Sequence, residues 1–157
     1  MRITRSRCRG LFAARAVIAV LALSCPPLAL AALGGDATTV IADQAHVSGK
    51  LAIVRTHRYT IHEIAVPSGA RVRQFVSPTG TVFGVTWSGP TMPDLRQMLG
   101  PHFDQYVAAV AQRRVRGPVL IQLPGLVVHS SGHMRDFRGT AYLPEAVPQG
   151  VDVGEIQ

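Results

Sequence analysis

Two histidines and an aspartate stand close together late in the chain, and zinc accepts these residue types as ligands. His129 and His133 flank the sequence Ser-Ser-Gly at residues 130–132, which predicts a turn, and Asp136 follows three residues after His133. Strong zinc signatures instead place two ligands one helical turn apart, or in recognisable cysteine and histidine pairs. The spacing therefore favours polar residues at a hairpin. A metal site formed by His129, His133 and Asp136 is the weaker alternative.

No nucleophile or phosphate-binding loop stands out in the rest of the sequence. Ser130 or Ser131, with a histidine and Asp94 or Asp136, would supply the groups that a hydrolase needs. The Gly-x-Ser-x-Gly motif is absent, and so is a glycine-rich loop that leads into a lysine-bearing helix. The sequence thus assigns no catalytic residue and no cofactor. A small envelope hydrolase, with or without a metal ion, is kept only as the alternative function.

The single tryptophan and a set of arginines are the other side chains with chemical potential. Trp87 precedes Ser-Gly-Pro, which predicts a tight turn between a strand and a helix, so its indole is expected to close one end of the core or to stack on a sugar ring. Most arginines on strands are simply solvated. A basic strip would form if the strands that carry them were neighbours, and its members would be Arg71, Arg73, Arg135 and Arg138.

Alternation of apolar and polar residues predicts strands on both sides of one helical segment. Phe83, Val85 and Trp87 are predicted to share one face of their strand. The predicted strands cover residues 52–66, 71–76 and 81–87 before the helical segment, and 119–123, 126–129 and 134–143 after it.

The helical segment is predicted to start at Pro93, since proline suits the first helical position and Asp94 then lies in the first turn. Gly100-Pro101 interrupts the apolar stripe, because proline lacks the N–H that a helix interior needs. We expect a kink or two consecutive helices. The predicted fold class is α+β: an antiparallel sheet formed by a meander, a helix and further strands, packed with one kinked or broken helix.

Residues 1–31 have the composition of a secretory signal peptide. Five arginines without an acid precede an apolar run that starts at Ala16, and small residues flank Leu30 at the predicted cleavage site after Ala31. We expect a periplasmic or secreted product. Retention of the segment as a membrane anchor and lipidation at Cys25 stay open as alternatives.

Cleavage would change the charge and cysteine content of the protein. The chain of 157 residues has 16 basic and 9 acidic side chains and a formal net charge of +7. Removal of the five arginines leaves about 126 residues with a charge of about +2, and both cysteines, Cys8 and Cys25, leave with the segment. The mature chain then has no disulfide and no thiol nucleophile. Its near-neutral charge excludes nucleic acid as the expected partner.

The mature chain is divided into three parts by composition: a flexible lead-in over 32–50, a single α+β domain over 51–144 and a C-terminal tail over 145–157. No transmembrane domain is expected after cleavage. The expected partner is an envelope protein or a small ligand of unknown identity.

Two blocks of the sequence resemble a bacterial family of exported proteins, the domain of unknown function 2844 family. The first block includes GTVFGVTWSGP at residues 80–90 and PDLRQMLG at 93–100. The second includes SGHMRDFRG at 131–139 and YLP at 142–144, and AALGG at 31–35 adds to the likeness. The resemblance implies an exported protein and carries no activity, substrate or cofactor with it.

The resemblance directs attention to the junction after Trp87 and to the hairpin around Gly132. If the two blocks meet in space, they would form a polar cluster with one aromatic wall. This candidate binding cluster consists of Trp87, Asp94, His133, Arg135 and Asp136. The sequence as a whole predicts an exported, non-catalytic binding or structural domain.

Overall fold

The computed structural model describes residues 32–37, 49–113 and 117–156. The predicted signal peptide, with Cys25, lies outside these ranges, and so do residues 38–48 of the predicted lead-in.

Seven strands form one antiparallel sheet in the described part of the chain. They are β1 (Lys50–Arg55), β2 (Thr60–Ala65), β3 (Arg71–Val76), β4 (Val82–Gly89), β5 (Val119–Leu123), β6 (Leu126–His133) and β7 (Asp136–Tyr142). The order across the sheet is β1-β2-β3-β4-β7-β6-β5. The first four strands follow one another by hairpins. The chain then crosses one face to the far edge and returns to the centre, where β7 pairs with β4. This architecture confirms the predicted α+β class.

The stretch predicted as one strand over 52–66 forms two strands instead. A turn separates them, in which the Thr56 hydroxyl donates to the carbonyl oxygen of Tyr59 at 2.8 Å and the Thr56 amide donates to the same oxygen at 2.9 Å. The run of β-branched and aromatic residues hides this turn, because those residues favour strands on either side of it.

The helical segment consists of two short helices, α1 (Leu95–Leu99) and α2 (Phe103–Ala111), joined by a 3-10 turn at Gly100–His102. The break at Gly100-Pro101 confirms the predicted interruption. The predicted start at Pro93 is wrong, since α1 begins after Asp94. The Asp94 carboxylate accepts hydrogen bonds from the amide N–H of Arg96 at 2.9 Å and of Gln97 at 3.3 Å. Asp94 is therefore an N-cap residue.

The main core lies between these helices and one face of the sheet, which we call the helix face. Both helices contribute apolar side chains to it, and five of the seven strands, β3 to β7, provide its floor. Its buried members are Leu33, Val72, Val85, Trp87, Met98, Leu99, Ile121, Leu126, Val128 and Ala141.

Residues 32–37 pack against this core, although the sequence predicts them as part of a flexible lead-in. Leu33 is fully buried and its amide donates to the carbonyl oxygen of Met98 at 2.9 Å. Asp36 forms an isolated bridge with Thr81. The apolar pair Ala32-Leu33 is too short to give a periodic pattern, so its burial depends on contacts that the local sequence does not reveal.

A β-bulge in β4 directs Phe83 to the face opposite the helices. Phe75 pairs with Gly84 and Val76 pairs with Val82, so Phe83 has no partner on β3. The Phe83 ring is buried against Phe75, with ring centroids 6.2 Å apart. The prediction that Phe83 shares a face with Trp87 is wrong, because the extra residue of a bulge reverses the alternation.

Trp87 lies across the central pair of strands. It is opposite Gly139 of β7, and a Cβ atom placed on Gly139 would be 2.0 Å from the indole Cζ2. Only glycine leaves room for the ring at this position. The indole therefore packs directly on the backbone of β7 and connects the two halves of the sheet.

Replacement of Gly139 by alanine is expected to destabilise the fold by about 1–3 kcal/mol, because the indole must leave its position over β7. Chemical denaturation followed by the fluorescence of Trp87, the single tryptophan, measures the change. Gly125→Ala is the matched control, since a Cβ there meets nothing within 4 Å. Equal stability of Gly139→Ala and the wild type would contradict this packing.

Candidate functional site

The five residues of the predicted binding cluster lie in three places. Trp87 is buried on the helix face and is 2% exposed. Asp94 caps α1, where it also borders a small, mainly apolar cavity of about 240 Å³ between β2, β3 and α1. The other three residues, His133, Arg135 and Asp136, are at the exposed tip of the β6–β7 hairpin.

The hairpin tip is a tight turn with its polar residues in solvent. His133 pairs with Asp136 across the hairpin, and Arg135 adopts a left-handed backbone conformation with φ of 66°. Met134 at the tip is 94% exposed. The register assigns His133 to the face opposite the helices, together with His129, whereas Trp87 is on the helix face. The structure therefore does not assemble an aromatic wall next to His133.

The two histidines of the metal alternative are also apart. His129 and His133 are four residues from each other on β6, which corresponds to about 13 Å at the usual rise of a strand. In the described ranges, no group of three or more His, Cys, Asp or Glu side chains is positioned to hold a metal ion. This geometry does not favour the metal alternative.

The face of the sheet opposite the helices carries most of the polar strand residues, and we call it the open face. Side chains that are opposite one another on neighbouring antiparallel strands point to the same face. The register therefore groups them into two rows that cross the sheet. The arginine row consists of Arg71, Ser88, Arg138 and Ser131; the threonine row consists of Glu63, Arg73, Thr86, Thr140, His129 and Leu120.

A groove of about 930 Å³ runs over these rows from β3 to β5. Its floor includes hydroxyl groups from five side chains and guanidinium groups from three arginines. Four inter-strand spacings make it about 19 Å long. The lining residues of the floor are Arg71, Arg73, Thr86, Ser88, Arg138, Thr140, Tyr142, His129, Ser131, Val127, Leu120 and Gln122.

Ion pairs hold the three arginines at the β3 end and centre of the groove. Glu63 contacts Arg73 Nε at 2.7 Å and Arg71 Nη1 at 3.6 Å. Asp136 contacts Arg138 Nε at 3.0 Å. Arg71, Arg73 and Arg138 thus share one face, as the basic strip requires, while Arg135 is in the hairpin turn.

The C-terminal tail forms one wall of the groove. Ile156 is buried against Phe75 and Phe83, and it lies 3.3 Å from a Cβ position on Gly84. The Thr140 hydroxyl donates to the carbonyl oxygen of Ile156 at 3.5 Å. The tail therefore covers the part of the open face that is apolar and leaves the arginine row accessible, whereas Thr86 in the threonine row is buried.

Two polar contacts fasten the tail to the turn between β1 and β2. The guanidinium of Arg58 donates to the carbonyl oxygen of Gly150, and the Tyr59 hydroxyl donates to Glu155 Oε2 at 3.2 Å. Burial and the neighbouring Glu155 carboxylate raise the pKa of Tyr59 above its ordinary value. The hydroxyl therefore stays protonated and remains a donor at neutral pH.

Sequence reasoning missed most of the groove because the groove depends on which strands are neighbours. The alternation of polar residues on β4 (Thr86, Ser88) and on β7 (Arg138, Thr140) was a usable indication that one face is polar. The pairing of β4 with β7 was not visible, since the two strands are about 50 residues apart in the chain.

The described part of the chain is an α+β domain with one sheet face packed on helices and the other face open and polar. The chain belongs to the family described as Protein of unknown function (DUF2844), whose sequence model matches residues 29–156. The match confirms the resemblance seen in the two sequence blocks. Comparison with curated proteins and with solved structures gave no match. Within the described ranges, no helix has the length and apolar composition needed to cross a membrane.

Replacement of Ile156 by alanine is expected to destabilise the domain by about 2–5 kcal/mol, because the side chain is buried between two aromatic rings. Thermal and denaturant unfolding of the purified domain measure the effect. Val153→Ala, which removes an exposed side chain of the same tail, should change stability by no more than about 0.5 kcal/mol. Equal effects of the two substitutions would mean that the tail is not anchored through Ile156.

Proposed function

We propose that the protein is an exported, non-catalytic binding domain of the bacterial envelope that holds its ligand on the open face of the sheet. The observation that carries this proposal is the groove over the arginine and threonine rows. Small-molecule sites are concave and present a limited number of fixed polar groups. The groove meets both conditions, and its floor is built on strands rather than on loops.

The distribution of polar groups supports binding rather than catalysis. Hydrolysis by a serine requires a nucleophile and a base within hydrogen-bond reach, with a third group that orients the base. In the groove the histidine is His129, which is opposite Thr140 and Leu120 in the threonine row. The Thr140 hydroxyl donates a hydrogen bond to the carbonyl oxygen of Ile156 in the tail. The nearby carboxylates of Glu63 and Asp136 contact arginines. We therefore favour a binding role over the small envelope hydrolase.

The export part of the proposal is supported by the arginine-rich and apolar order of residues 1–31 and by the burial of Leu33. Removal of Leu33 would open the core, so a compatible cleavage must occur before it. Cleavage after Ala31 satisfies this condition.

Mass spectrometry of the protein from the periplasmic and membrane fractions of expressing cells is expected to give a mature N-terminus at Ala32. An intact Met1 in those fractions would contradict cleavage. A lipidated N-terminus at Cys25 would assign the protein to a membrane surface instead of the free periplasm.

The binding surface is tested by titrating the ¹⁵N-labelled mature domain with a panel of sugars, organic acids and amino acids. Amide shift changes are expected on β3, β4, β6 and β7. Ser88→Trp should abolish them, because Ser88 is exposed in the middle of the arginine row and a large ring there fills the groove. Ala108→Trp, on the exposed side of α2, is the matched control. Binding that maps elsewhere, or that survives in Ser88→Trp, would overturn this assignment.

A further inference from the structure

Two arginines flank a serine near the centre of the groove, and this arrangement indicates the class of ligand. The inference rests on the proposed function. We infer that the ligand carries a carboxylate or phosphate group, which Arg71 and Arg138 bind from two sides over Ser88, and that this group belongs to an acidic oligosaccharide.

The register provides the geometry for binding an oxyanion. Arg71 is opposite Ser88 on β4, and Ser88 is opposite Arg138 on β7, so the two arginines flank one serine in a straight row. Two inter-strand spacings separate their Cα atoms by about 10 Å. Both side chains are long enough to converge over Ser88. A carboxylate or phosphate placed there can accept hydrogen bonds from both guanidinium groups and from the serine hydroxyl.

Each of these two arginines keeps donor capacity for a ligand. A guanidinium has five N–H donors in a planar fork that fits carboxylate and phosphate oxygens. Arg71 directs Nη1 towards Glu63, and Arg138 directs Nε towards Asp136. Their side chains are 62% and 70% exposed, so a ligand in the groove can reach them. Glu63 is on β2 and Asp136 is towards the hairpin end of β7, so neither carboxylate occupies the position over Ser88.

The charge of the open face is positive at this point. Three arginines face two carboxylates: Glu63 is opposite Arg73 at the β2 end of the threonine row, and Asp136 is two residues from Arg138 on β7. Neither carboxylate is directly opposite Ser88, whose cross-strand neighbours are Arg71 and Arg138. An anion over Ser88 therefore meets guanidinium groups before it meets an acid.

The remainder of the groove favours a polyhydroxylated body attached to the anion. Hydroxyl and amide groups continue across the floor towards β5, and the Tyr142 ring and the exposed Leu120 add apolar surface there. A length of about 19 Å exceeds what one small anion occupies. Sugar rings combine hydroxyl edges with apolar faces, so a short chain of them matches both kinds of surface.

Calorimetric titration of the mature domain with tetragalacturonate, maltotetraose and inorganic phosphate tests the inference. Tetragalacturonate is expected to bind at low salt and to bind more weakly as salt rises, because exposed ion pairs are screened. Arg71→Gln and Arg138→Gln should each weaken it about tenfold, the usual effect of losing one charged hydrogen bond. Maltotetraose, the neutral analogue, should bind at least about tenfold more weakly than tetragalacturonate in the wild type.

Arg96→Gln is the matched control, since it removes one exposed cation from α1 on the other side of the sheet. Thermal unfolding of each variant checks that the fold is kept. The inference that the ligand carries an anionic group would be overturned if Arg71→Gln and Arg138→Gln bound tetragalacturonate with wild-type affinity. It would also be overturned if the wild type bound maltotetraose as tightly as tetragalacturonate. If Ser88→Trp still abolishes maltotetraose binding, the open face remains the binding site and only the ligand class is wrong. If phosphate bound as tightly as tetragalacturonate, the result would support an oxyanion site at Arg71 and Arg138. It would contradict the inference that the rest of the ligand is an oligosaccharide.

Discussion

The antiparallel pairing of β4 with β7 is the contact on which both faces of this domain depend. It joins a four-stranded half, β1 to β4, to a three-stranded half, β5 to β7. On the helix face the pair carries Trp87 opposite Gly139, and on the open face it carries Thr86 opposite Thr140 and Ser88 opposite Arg138. One register therefore determines both the packing of the indole and the composition of the groove. A slip by a single residue would expose one set and bury the other.

The open face is divided by a bulge and a tail. The bulge in β4 brings Phe83 to the open side, where Phe75 and Ile156 cover it. The apolar part of that face is thus closed by the chain itself, and the arginine row stays available to a ligand. The tail consequently has two effects, since it buries two aromatic rings and supplies a wall of the groove.

The class of the fold was predictable from the sequence because alternation and turn residues are local properties. The break at Gly100-Pro101 was predictable for the same reason. The candidate binding cluster could not be predicted correctly from the sequence, because the prediction assumed that the side chains of the Trp87 and His133 blocks meet. Trp87 is on β4 and His133 is on β6, with β7 between the two strands, and the register directs Trp87 to one face of the sheet and His133 to the other. The predicted face of the Phe83 side chain was wrong because the sequence contains no direct sign of a bulge. The arginine row could have been found from strand parity once the neighbours of β4 were known.

The position of β7 beside β4 also has a consequence for the order of folding. Trp87 and Gly139 are about 50 residues apart, so the central pair of strands closes a large loop, while the hairpins on either side close short ones. Contacts of such long range slow folding, because the entropy of loop closure is lost before the contacts form. The N-terminal half of the sheet has no central neighbour until the last strand of the chain arrives. The core between Trp87 and Gly139 is therefore complete only when the C-terminal strands have joined the sheet.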